Sequence, residues 1–161
     1  MTTAHDLFAE TNPAFGVYAI AAFCSSYEKV AEASPSLALV YLSIPIAFSD
    51  DTQDSFEKTN AATGLLSWLA RFPDIKLNLA ARLSASLDIV TPAVKLGVQA
   101  KALCLHAGGL LGAGEAPPAP RGARDLPDDA KQVIKRAERL GGWMAKGGSA
   151  AAIFSAFGVE P

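Results

Sequence analysis

The residues best placed to do chemistry are a run of cations on one predicted helix near the C-terminus. They recur at helical spacing and comprise Lys131, Lys135, Arg136 and Arg139. Arg121 and Arg124 stand in the segment before them. Such a stripe can follow the phosphates of a nucleic acid or meet an acidic partner. A solvated helix face, in which Glu138 dilutes the charge, is the alternative that the sequence leaves open.

Residues suited to catalysis or metal binding do not form a recognisable set. The histidines His5 and His106 and the cysteines Cys24 and Cys104 lack further ligands at metal-binding spacing. The glycine-rich segment Gly108–Gly114 lacks the lysine and the hydroxyl residue that hold phosphates in a nucleotide-binding loop. The sequence therefore predicts a protein that is not an enzyme and that carries no metal and no cofactor.

The composition favours a protein that binds other proteins. The chain has 161 residues, of which 50% are apolar and 19% charged, and its net charge is −2. So little polar surface indicates an apolar face that meets a partner, with a merely alanine-rich sequence as the alternative. The apolar runs Pro13–Cys24 and Leu37–Phe48 are short of the ~20 residues that span a bilayer. Two cysteines without a secretory signal predict reduced thiols in a cytoplasmic protein.

Local signals predict a mainly α fold. Residues 1–11 are expected to form an N-terminal tail, and residues 12–161 a single compact helical domain with a flexible loop at 112–127, rich in proline and glycine. Asn12 followed by Pro13 predicts a helix start. Leu37–Phe48 fits either a buried strand or a helix interrupted at Pro45, and periodicity does not decide between them.

Further along the chain, Asp74 is expected to begin a helix. The residues that share one face of it are Ile75, Leu79, Leu83 and Leu87. Thr91-Pro92 predicts the start of the next helix. After that helix, short apolar pieces flank Gly108-Gly109, which fits either the two-stranded wing of a winged-helix unit or a simple helix end with a loop.

Three stretches carry a resemblance to a known family. They are Asn12–Phe15 at the first helix, Thr63–Leu69 in the middle, and the C-terminal run Leu140–Pro161. Together they resemble the middle components of bacterial three-component ABC systems, relatives of Lamassu-type systems. The resemblance implies an accessory subunit of an anti-phage defence complex, which couples an SMC/Rad50-like ABC ATPase to an effector. The rival hypothesis is a free-standing winged-helix DNA-binding regulator.

The C-terminal run also supplies candidate interface residues. The expected partner contacts are Trp143, Lys146, Ile153 and Phe154. Tryptophan is favoured as an anchor at protein interfaces, which supports this interpretation. The alternative is that Trp143 and Phe154 close the core around closely packed glycines.

Overall fold

The structure, a computed structural model, describes residues 12–161, and most of them are helical. The helices are α1 (Pro13–Ala31), α2 (Leu37–Phe48), α3 (Gln53–Glu57), α4 (Leu65–Arg71), α5 (Leu79–Ala85), α6 (Leu87–Gln99), α7 (Pro120–Arg124), α8 (Asp128–Ala145) and α9 (Ala150–Phe157). Strands β1 (Leu103–His106) and β2 (Leu110–Ala113) form a two-stranded sheet. The prediction of a mainly α fold with a small β element is confirmed. The predicted tail at residues 1–11 lies outside the described residues.

Helix α1 is the central element, packed against α8 on one side and α6 on another. It begins as the sequence predicted, because the Asn12 side chain accepts a hydrogen bond from the Ala14 N–H at 3.0 Å. Gly141 of α8 lies so close to the Phe23 carbonyl that a Cβ there would collide with it. This close approach lets the two longest helices bury their facing apolar side chains.

The ambiguous segment Leu37–Phe48 is a helix. The Ser36 hydroxyl accepts the Ala38 N–H at 3.2 Å and caps its first turn. Pro45 lies inside the helix, near its end. Most of this helix is buried, and its side chains are apolar on nearly all sides. Its sequence therefore lacks the alternation of polar and apolar residues by which an amphipathic helix is recognised.

The glycine pair at 108 and 109 turns a β-hairpin. Its strands run antiparallel, with Cys104 opposite Gly112. The hairpin lies against the α1–α2 connection: the Leu111 N–H donates to the Pro35 carbonyl at 2.9 Å. The prediction of two strands is confirmed, whereas their use as a DNA-binding wing stays a prediction.

Part of the predicted loop at 112–127 has regular structure. Its first two residues complete β2, and Pro120–Arg124 forms α7. The Tyr18 hydroxyl of α1 donates to the Ala119 carbonyl at 3.2 Å, and Gly122 lies directly against the same ring. This segment therefore packs against α1, whereas the sequence predicted a loop without packing. The predicted flexibility of the segment stays a prediction.

The boundaries predicted between 74 and 92 were wrong. Pro73–Lys76 is a 3-10 turn, and Asn78, with a left-handed φ of 55°, separates it from α5. Helix α6 begins at Leu87, so Pro92 stands inside it and does not start a helix. No helix in the described part of the chain is long and apolar enough to cross a membrane.

Candidate partner-binding surfaces

An aromatic cluster, formed by Phe56, Trp68, Trp143 and Phe157, occupies the core between α3, α4, α8 and α9. Trp143 stacks on Phe56 with 5.9 Å between ring centroids, and its indole N–H donates to the Ala61 carbonyl at 3.1 Å. Its side chain is 3% exposed. The ring and the polar atom of Trp143 are thus engaged within the protein.

The other predicted interface residues are distributed between the interior and the surface. Ile153 is fully buried, and Phe154 is 5% exposed. Lys146, at the C-terminal cap of α8, is exposed. In this conformation, a partner has little access to Trp143 or Ile153, and Lys146 is the one of the four that stands free on the surface.

The two arginines of the basic stripe bind backbone carbonyls within the protein. The Arg136 Nε–H donates to the Ala47 carbonyl at 2.7 Å, and Arg139 donates to the carbonyls of Phe56 (2.6 Å) and Thr59 (3.0 Å). Burial lowers the pKa of Arg136, and the charges of nearby Asp50 and Glu57 act in the opposite direction. These hydrogen bonds fasten α8 to α2 and to the chain around α3, a role that the sequence did not reveal because all three acceptors lie far away along the chain.

The lysines of the stripe have a different environment. Lys135 is exposed and Lys131 is half-buried. Arg121 and Arg124 are exposed on α7. The cations that remain available to an anionic partner therefore sit on α7 and the first half of α8.

A groove lined by apolar side chains opens between α2 and the α5–α6 segment. Its walls and floor include Leu37, Ala38, Tyr41, Leu83, Leu87 and Phe154. We call this set the apolar groove; its cavity volume is about 330 Å³. Leu87 is 49% exposed at its edge, while Phe154 forms part of its floor. Glu160 and Pro161 stand at the groove as well.

Tyr41 is fixed in place within this groove. Its hydroxyl forms a 2.7 Å hydrogen bond with the Thr91 hydroxyl of α6. This bond satisfies the polar end of the side chain and leaves the ring to line the groove. The groove is thus an apolar surface whose shape is set by packing in the isolated chain.

The four apolar residues predicted to share one helix face have different environments. Ile75 and Leu79 are buried, Leu83 is half-buried and Leu87 is exposed. They lie in three separate elements, the 3-10 turn, α5 and α6, so no single helix face joins them. Leu83 and Leu87 line the apolar groove, and exposed apolar residues grouped together are typical of a partner-binding surface.

The described residues were also compared with the ligand sets that metal sites require. Across residues 12–161, no group of three or more His, Cys, Asp or Glu side chains could hold a metal ion. Cys24 and Cys104 are both free thiols, the first buried and the second half-buried.

The comparison with known families agrees with the resemblance of the three sequence stretches. Residues 5–161 match the family described as ABC-three component (ABC-3C) system Middle Component 3. Searches of curated proteins and of solved structures found no significant match. The chain belongs to the Middle Component 3 family, as the match covers nearly all of it.

Proposed function

We propose that this chain is a non-catalytic, cytoplasmic subunit of an anti-phage defence complex, in which it couples an SMC/Rad50-like ABC ATPase to a variable effector. Membership of the middle-component family supports a place among several subunits. The structural observation that carries the proposal is the apolar groove, where Leu87 is 49% exposed. A binding subunit needs such a surface, because burial of apolar area drives most protein association.

We assign the groove to an amphipathic helix of the ATPase. Grooves between helices accept a helix that inserts apolar side chains at three- and four-residue spacing. Glu160 at the groove is complementary to a lysine or arginine on that helix. A groove already formed in the isolated chain suits a constant partner, and the ATPase is the constant component whereas the effector varies.

Affinity purification tests the subunit role. The tagged protein is isolated from its native host at moderate salt, and the retained proteins are identified by mass spectrometry. We expect the ABC ATPase and a third protein encoded with it. Recovery of the chain alone, at concentrations where complexes of this kind persist, would contradict the proposed role.

A direct nucleic-acid contact is the second candidate function. The exposed cations on α7 and α8, namely Arg121, Arg124 and Lys135 with the half-buried Lys131, are the observation that favours it. Such contacts bind phosphates without sequence preference, so affinity should fall steeply with salt. Fluorescence anisotropy with a duplex at low salt measures this. No binding at low salt, or equal binding by a Lys131→Gln/Lys135→Gln variant, would count against these residues.

A further inference from the structure

A thiol and an imidazole lie side by side on the hairpin. Cys104 and His106 are two residues apart on β1, so their side chains point to the same face of the strand. The distance from Cys104 Sγ to His106 Nδ1 is 3.9 Å, within the range of a hydrogen bond to sulfur. Cys104 is half-buried and His106 is exposed, so small molecules in solution have access to the pair.

A carboxylate approaches this pair across Gly112. Glu28 Oε1 accepts the Ser34 hydroxyl and the Ala113 N–H, each at 3.1 Å, and is thereby held against β2. A Cβ at position 112 would meet this carboxylate oxygen and would stand 3.2 Å from His106 Nε2. The missing side chain of Gly112 therefore leaves a space that the Glu28 carboxylate and the His106 imidazole both border.

We propose that Cys104 is a site of reversible S-thiolation by small disulfides, with His106 as the base and Glu28 as a positioning residue. In the proposed arrangement the nearby carboxylate attracts the ring proton to Nε2, so that Nδ1, 3.9 Å from the thiol, serves as the proton acceptor. The arrangement of thiol, imidazole and carboxylate is that of an activated thiol. The site is separate from the apolar groove and does not depend on the subunit role.

The reaction is a thiol–disulfide exchange. The Cys104 Sγ–H proton passes to His106 Nδ1, and the sulfur attacks one sulfur of a small disulfide. A new S–S bond forms at Cys104 while the S–S bond of the reagent breaks, and the other half leaves as a thiolate that takes up a proton from solvent or from the imidazolium. The exchange needs no further oxidant, and a small thiol reverses it.

Cys24 provides an internal control. Its side chain is fully buried, and its Sγ–H donates to the Leu111 carbonyl at 3.4 Å. Burial, with a smaller contribution from the charge of Glu28, raises the pKa of Cys24 to about 12. Since the chain has two cysteines, reaction of the folded protein should stop at one thiol, whereas the denatured protein should react at two.

The test uses 4,4′-dithiodipyridine, whose released thiopyridone is followed by absorbance, on the full-length protein. At pH 7 we expect the wild type to release one equivalent of thiopyridone rapidly. The rate for His106→Gln should be about tenfold lower, because a positioned general base raises a reaction rate by at least this factor. Glutathione disulfide should then give one mixed disulfide, seen by mass spectrometry and removed by reduced glutathione. His5→Gln makes the same change at the other histidine and should keep the wild-type rate.

The pH dependence separates a base from a structural role. Among the described residues, the titratable group in contact with the thiol is His106 on its own strand, and Glu28 from α1 lies beside Gly112, the residue opposite Cys104. A base assists only a thiol that still carries its proton, so the gap between wild type and His106→Gln should be wide at pH 7 and should narrow as the pH is raised to 9. Glu28→Gln should show a smaller loss at pH 7. A gap that is equal at both pH values, no gap, or a slow Cys104 in the folded wild type would overturn the proposal.

Discussion

Two regions of this molecule are built from similar apolar helices, and only one of them is closed. In the aromatic cluster, Trp143 is 3% exposed and its indole N–H has a backbone acceptor. In the apolar groove, Leu87 remains 49% exposed among the described residues. The difference shows that sequence motifs shared with a family can serve the core, and we propose that the partner surface lies where apolar residues stay exposed beside the core.

The largest effect is expected for Trp143→Ala. Removal of a buried indole leaves a cavity in the aromatic cluster, and such truncations cost about 3–5 kcal/mol of unfolding free energy. Chemical denaturation of the purified variant measures this loss. A variant of wild-type stability that no longer retained the ATPase would reverse the comparison and place Trp143 at the interface.

The second test concerns Arg136, which joins α8 to α2 through a hydrogen bond to a backbone carbonyl. Arg136→Met leaves the Ala47 carbonyl without its charged donor, which should cost about 1–3 kcal/mol. Lys135→Met is the matched control at the preceding residue, and it should stay within about 0.5 kcal/mol of wild type because Lys135 is exposed. The two variants are compared by thermal denaturation. If their stabilities were equal, the hydrogen bond from Arg136 to the Ala47 carbonyl would not stabilise the fold.

Arg136 also shows where sequence interpretation ends. Helix α1 was predictable because the Asn12 cap and the apolar period are local signals. Arg136 was grouped with the lysines because its acceptor, Ala47, lies on another helix and leaves no local trace. The exposure of Leu87 was not predictable, because periodicity shows which residues share a face but not how much of that face the fold covers.

The third test uses the pH dependence of Cys24, which lies in the closed part of the molecule. Its folded-state pKa of about 12 is above the ordinary 9.0, so its contribution to stability is complete below pH 9 and is lost as the pH rises through 12. Between pH 9 and 10, ionisation in the unfolded state should cost the wild type about 1 kcal/mol more than Cys24→Ala. Denaturation curves of both proteins at each pH test this. A constant difference would mean that solvent reaches Cys24.

The smallest change in stability is expected in the apolar groove. Leu87→Ser removes an exposed side chain, so the unfolding free energy should change by no more than about 0.5 kcal/mol. Thermal denaturation of the isolated protein measures it. A loss of 2 kcal/mol or more would indicate that Leu87 supports the core, and the contrast between the two regions would disappear.

The most direct test of the central claim is a co-purification of the ABC ATPase with matched leucine variants. Leu87→Glu places a charge in the apolar groove, whereas Leu66→Glu makes the same change on α4 at a leucine that is 68% exposed. Loss of a hot-spot contact predicts at least about a tenfold fall in retained ATPase for Leu87→Glu and no fall for Leu66→Glu. If both folded variants retained the ATPase equally, the groove would not be its binding site. If Leu87→Glu lost only the third component, the groove would belong to the effector instead.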